Sequence, residues 1–201
     1  VLNIVDPTST ITQETAPFTL LGNRGHIHND DRITRHHTTK GWIYCHTRAM
    51  VTPKDFMGDG YTELFFLDEA TALAAGHRPC GRCLYARQQA FLDAWARAND
   101  GVRPTIPEVD EQLHTERFDK GRKPTYEKTC KDLPAGTMVR EPGDPQPLLL
   151  RGDFAYPWTS HGYGVRRDAP AGIVEVLTPP SIVKLIDKDF MPGPVDLLLA
   201  W

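Results

Sequence analysis

Four cysteines in 201 residues are too few to staple a fold with disulfides, which points to a reduced, cytoplasmic protein. A chain of this length buries a sizeable core without such help. No apolar run approaches the roughly 20 residues that a membrane-crossing helix needs. The opening VLNIVDPTST lacks the charged start and apolar centre of a signal peptide. A net charge of −3 leaves no global basic field to draw in nucleic acid. Long helices are disfavoured as well, because 17 prolines and 16 glycines punctuate the chain with turns. Also missing are a Gly-rich phosphate loop, a Gly-x-Ser-x-Gly elbow and a His-Glu-x-x-His helix. These absences exclude disulfide-rich scaffolds, membrane spans and several common hydrolase and nucleotide-binding classes.

The residues present are unevenly spread. Between Leu20 and Met50 stand five Lys/Arg, two Asp and five His, and residues 76–98 carry four Arg against one Asp. Such local excess permits a phosphate-binding patch despite the negative total.

The pattern along the chain predicts an α+β fold. Residues 1–17 mix Thr, Pro and polar types and read as a flexible arm. FTLLGNRGHIHND and GWIYCHTRAM are strand-like and predict a β-hairpin with a long loop carrying His36 and His37. Glu63–Leu67 reads as a strand feeding a short helix, with Asp68 as N-cap and Gly76 as its stop. Leu84, Phe91, Leu92 and Trp95 recur at helical spacing. Thr105 and Glu108 form a capping-box pattern opening a third helix, with Val109 and Leu113 inward. From Leu133 onward short strands alternate with Pro/Gly turns, and Thr178-Pro179-Pro180 starts a last short helix. The expected organisation is an arm (1–17), a hairpin and helical region (18–120) and a small β-rich part (121–201) packed on it as one unit.

The most informative stretch is AAGHRPCGRC, residues 74–83. A Cys-x-x-Cys turn exposes two sulfurs on one side, and backbone N–H groups and a following helix N-terminus favour their thiolates. Zinc suits such donors. No βαβ pattern precedes the pair, so a thioredoxin-like redox site is the weaker reading.

FFLDEATALAAGHRPCGRC and TTKGWIYCHTRAM together resemble the zinc domain of the Ada family of bacterial DNA alkylation-repair proteins, over residues 38–84. The resemblance implies Cys80 and Cys83 as zinc ligands, with Cys45 as a third, and DNA as a partner. In that family the strand supplies two cysteines, one of which accepts a methyl group from DNA phosphotriesters. Here it supplies Cys45 alone, so methyl transfer is not carried over. Over its whole length the chain also resembles a set of bacterial proteins sharing GNRG-x-x-H, TELFFLDEATALAAGHRPC and LTPPS elements, a likeness that brings no activity with it.

A fourth ligand then comes from elsewhere, most simply a histidine, the candidates being His28, His36, His37, His46 and His77. His46 neighbours Cys45 on a strand and points to the other face, and His77 replaces an aromatic and packs. His28 ends the first hairpin strand, where pairing would bring it toward Cys45, so the expected metal set is His28, Cys45, Cys80 and Cys83. His37 is next. Four protein ligands would close the shell and make the zinc mainly structural. Cys130 has no neighbour at ligand spacing and reads as a free thiol.

Three functions fit these residues. One is recognition or processing of nucleic acid, with Arg24, Arg78 and Arg82, and further Arg35 and Arg48, contacting phosphates. Another is a metal-dependent hydrolase or nuclease. It would use His26, His28 and Asp30 in the Gly22–Asp30 segment, with the aromatic run at 154–163 as its pocket. The third is a zinc-stapled interaction module without catalysis. No membrane partner is expected, and no feature bears on oligomeric state.

Overall fold

The computed structural model describes residues 1–47, 57 and 60–193. Its first sheet is built from β1 (Leu2–Val5), β2 (Ile11–Glu14), β3 (Leu20–Asn23), β6 (Ile43–His46), β7 (Leu64–Phe66) and β8 (Arg78–Pro79). Their order across the sheet is β2-β1-β7-β3-β6-β8, with β1–β7 and β6–β8 parallel and the other neighbours antiparallel. A two-stranded ribbon, β4 (His28–Asn29) with β5 (Arg32–Ile33), lies outside it.

Residues 1–17 are not an arm. Ile4 and Val5 are fully buried and β1 lies inside the sheet, Ile4 opposite Phe65. The turn that returns the chain as β2 is closed by the Asp6 carboxylate, which accepts from Thr8 Oγ1 at 2.7 Å and Thr10 N at 3.0 Å. The apolar content of LNIV, not the polar turn after it, decides the placement of this segment.

The predicted hairpin forms as β3 against β6. Asp68 caps α1 (Glu69–Ala74), and Gly76, at φ +84°, ends it in a conformation that glycine adopts without strain. α2 (Tyr85–Ala98) buries Phe91, Leu92 and Trp95. α3 (Ile106–Arg117) opens with the Thr105–Glu108 capping box and buries Val109 and Leu113.

The second sheet is antiparallel throughout. It runs β13 (Gly162–Tyr163), β12 (Phe154–Thr159), β11 (Leu148–Arg151), β10 (Met138–Arg140), β15 (Ile173–Val176), β9 (Tyr126–Thr129), with β14 (Arg167–Asp168) also on β12. The β-rich C-terminal part is therefore as expected. Its closing helix α4 (Pro180–Asp187) crosses back to the first half. Ile182, Leu185, Ile186 and Phe190 join Phe91, Trp95 and Leu113 in one core. Helix α1 is the other bridge, since Ala70 and Ala74 pack with Met138, Leu149, Trp158 and Tyr163 of the second sheet.

Candidate metal centre

Strand register brings the cysteines together. β6 and β8 run parallel with Ile43 opposite Arg78 and Tyr44 opposite Pro79. One step further along both strands stand Cys45 and Cys80, and Cys80 N donates to Tyr44 O at 2.9 Å. The chain then turns through Gly81 and Arg82 to Cys83, just before Leu84, the N-cap of α2. The sulfurs of Cys45, Cys80 and Cys83 lie within 4.8 Å of one another. Sulfurs sharing one tetrahedral zinc, at Zn–S of about 2.3 Å, are about 3.8 Å apart, so the donor set fits a thiophilic ion.

The electrostatics run the same way. Burial opposes ionisation of Cys80, yet backbone N–H groups of Cys83 and Arg82, with the Cys45 and Cys83 thiols, bring it below the ordinary thiol value. Cys45 is driven the other way, by burial first and then by its two sulfur neighbours. A thiolate is favoured at Cys80 and resisted at Cys45, a conflict that a bound cation would resolve. Cys80 is buried, Cys45 half-buried and Cys83 exposed. A groove of about 620 Å³ passes the Cys83 side, with His46 on its wall and the Tyr44–Glu69–Arg87 network at its edge.

His28 does not join the three sulfurs. The register places Leu21 opposite Cys45, and β3 leaves the sheet at Asn23, five residues before His28. His28 is instead buried on Thr62, Nδ1 to Oγ1 at 2.6 Å, and its ring stacks on that of His26 at 4.3 Å. His37 lies in a different cluster, against Trp42, His114 and Phe118. His77 is fully buried between Trp42 and Phe66, as its aromatic-like position suggests. Cys130 is a buried free thiol whose pKa is raised by burial and then by Glu141.

Two of the five arginines expected to touch phosphates are not on the surface. Arg78 is 7% exposed and its fork is occupied by Asp110, with Nε–Oδ1 and Nη2–Oδ2 both 2.7 Å. Arg24 is 1% exposed and donates to His77 and Ser9. Arg82 is exposed in the cysteine turn, and Arg48 lies outside the described residues. His26 Nδ1 bonds Gly60 O at 2.6 Å, and Asp30 stands in the tight β4–β5 turn at φ +50°. The aromatic run is structural at its centre. Trp158 Nε1 donates to Thr71 Oγ1 at 3.0 Å and Tyr163 OH to Asp68 Oδ2 at 2.7 Å, both in the core.

Sequence patterns did not point to Tyr61. Burial first, then Glu63 and the three cysteines, raise its phenol above the ordinary value, which puts it within electrostatic reach of the sulfurs. No spacing rule links a tyrosine sixteen residues downstream to a strand cysteine. Among the described residues, no helix is long and apolar enough to cross a membrane. Comparison of the chain with protein-family models, curated proteins and solved structures finds no match.

Proposed function

We propose that this chain is a zinc-stapled protein that recognises nucleic acid, with the zinc serving as an anchor and not as the reacting centre. The observation that carries the metal half is the convergence of the Cys45, Cys80 and Cys83 sulfurs within 4.8 Å where β6, β8 and the start of α2 meet. A metal held there would tie a strand, a parallel neighbour and a helix into one corner, which supports the anchor reading, although among the described residues three sulfurs alone supply the shell and the fourth position would go to another donor. Support for the nucleic-acid half comes from the Ada-like segment and from the exposed Arg82 within its cysteine turn.

Metal analysis of the purified protein should give one zinc per chain. Cys80→Ser should lose the metal and lower the melting temperature by about 10 °C or more. Cobalt exchange then reads the ligand set, because charge-transfer bands from three sulfurs differ in intensity from those of two or four. In gel shifts at low salt, Arg82→Ala should weaken binding evenly across sequences and reduce the salt slope by about one. Absence of any shift at low salt would remove the nucleic-acid half, and a metal-free, fully folded wild type would remove the other.

A further inference from the structure

A cavity of about 560 Å³ opens between the two sheets, away from the cysteines. Arg24, Arg35, Arg117, Arg122, Lys123 and Arg140 line it, and no carboxylate among the described residues does. Arg140 is matched by Glu175, and Arg35 and Arg122 are exposed at the surface. The other three cations are the anomaly.

Arg24 and Arg117 are each 1% exposed. Their guanidinium carbons stand 4.1 and 4.5 Å from the Trp42 ring centroid. Arg24 donates to His77 Nε2 at 3.2 Å, Ser9 O at 3.1 Å and Ser9 Oγ at 2.9 Å. Arg117 donates to the carbonyls of Gly76 and Lys40, and its Nε has no partner. Lys123 donates to Pro7 O at 2.6 Å and to Ala74 O. Every partner is neutral, and among the described residues none of the three forms an ion pair. Asp6 acts on Arg24 and Lys123 from nearby but is engaged by Thr8 and Thr10, and Asp110 and Glu116 act on Arg117 but are engaged by Arg78 and Ser181.

Buried charge is ordinarily paired, because taking it out of water is costly. Three cations gathered around one cavity, with no carboxylate among the described residues bonded to any of them or lining it, call for a ligand that brings the negative charge. We propose that this cavity binds a phosphate monoester, held by Arg24, Arg117 and Lys123 inside and by Arg35 and Arg122 at its mouth. A dianionic monoester matches several cations better than a single carboxylate does, and guanidinium forks suit its oxygens. The volume lies in the range of small-molecule sites, and Ile33 and Phe118 give it an apolar wall for an attached organic group. Burial first of all fits this arrangement, bringing Arg24 and Arg117 to about 9 and Lys123 to about 7, with Arg117 further lowering Arg24 and Arg24 further lowering Lys123. The proposal is independent of the metal and of Arg82.

Calorimetric titration and thermal melting of the full chain, at low ionic strength with chloride as control, test it. The probes are inorganic phosphate, a nucleoside monophosphate, and an oligonucleotide with or without a 5′-phosphate. Saturable binding with a raised melting temperature is expected for phosphate and for at least one of the larger probes. A preference for the mononucleotide identifies a free small molecule, and binding confined to the 5′-phosphorylated strand identifies a strand end. Lys123→Met and the exposed pair Arg35→Ala/Arg122→Ala should each weaken phosphate by about 10- to 100-fold. Arg24→Met should abolish the phosphate-induced rise measured from the variant's own ligand-free melting temperature, whereas Arg24→Lys, which keeps the charge, should retain part of it. No saturable phosphate binding at millimolar concentration overturns the proposal. So does binding that the mouth variant loses and Lys123→Met retains, since the anion would then sit outside the cavity.

Discussion

Lys123 should make the stability of this protein rise with pH across a range where most proteins are flat or falling. Burial, partly offset by Asp6 and reinforced by Arg24 and Arg140, lowers its pKa from 10.5 to about 7. Below about pH 7 the folded chain must bury an ammonium and the penalty is fully present. Between about 7 and 10.5 the unfolded chain holds a proton that the folded chain has shed, so the free energy of unfolding climbs. Above that window both states are neutral and the penalty is gone. At 1.36 kcal/mol per pH unit the displacement sets an upper bound of about 5 kcal/mol, because Lys123 is half-buried at the cavity wall. The Pro7 and Ala74 carbonyls accept from the amine as from the ammonium, so these bonds persist. Lys123→Met leaves both carbonyls without a donor, at about 1–3 kcal/mol each and independent of pH. Urea midpoints of wild type and Lys123→Met, measured in parallel from about pH 6.5 to 10 without phosphate, isolate the lysine from the cysteines and tyrosines that titrate in both. The wild type should gain several kcal/mol on the variant as pH rises, and saturating phosphate should flatten that gain by keeping the ammonium charged. A constant difference across the range would refute the reasoning, because Lys123 would then keep its proton in the folded state.

Asp110→Ala should cost about 3–5 kcal/mol in urea unfolding, because it strands the 8%-exposed Arg78 beside the cysteine turn. Gly22→Ala should cost about 3 kcal/mol or more and weaken cobalt binding, since a Cβ there would lie 2.4 Å from Ile43 O, beside the strand that carries Cys45.

What could be read from the sequence follows the range of the interactions involved. Asp68, Gly76 and the Thr105–Glu108 pair act within a few residues, so α1 and α3 were legible from their caps. The Cys80–Cys83 turn is equally local. Cys45 was reached through resemblance, and what makes it a partner is a parallel register between strands 35 residues apart, which no local pattern encodes. The same non-locality explains the His28 expectation: hairpin pairing was right, but its register, with Leu21 against Cys45, leaves the histidine beyond the end of the strand. Residues 1–17 were misjudged because β1 has only four residues, and its burial comes from β7 sixty residues away. The run from Asp119 to Lys128 is polar in sequence, yet it turns Lys123 inward onto Pro7 and Ala74. A lysine facing solvent and one facing a cavity read identically in one dimension.

β6 and the residue before it connect the two sites. Trp42, just ahead of the strand, carries the stacked Arg24 and Arg117, and Cys45, three residues on, carries the first sulfur. β8 repeats the link, since Arg78 N donates to Trp42 O at 3.1 Å and Cys80 N to Tyr44 O at 2.9 Å. The Arg78 fork meanwhile holds Asp110 on α3, the helix whose last turn delivers Arg117 to the cavity. A metal at the cysteines would therefore fix the two short strands whose other ends position the cavity's buried cations. Rigid placement matters most where like charges must be held together before a ligand arrives, because their repulsion otherwise spreads them apart. With a metal bound, the cysteine corner and the cationic cavity would be opposite ends of one brace, and the ion would have a functional consequence without any chemistry of its own.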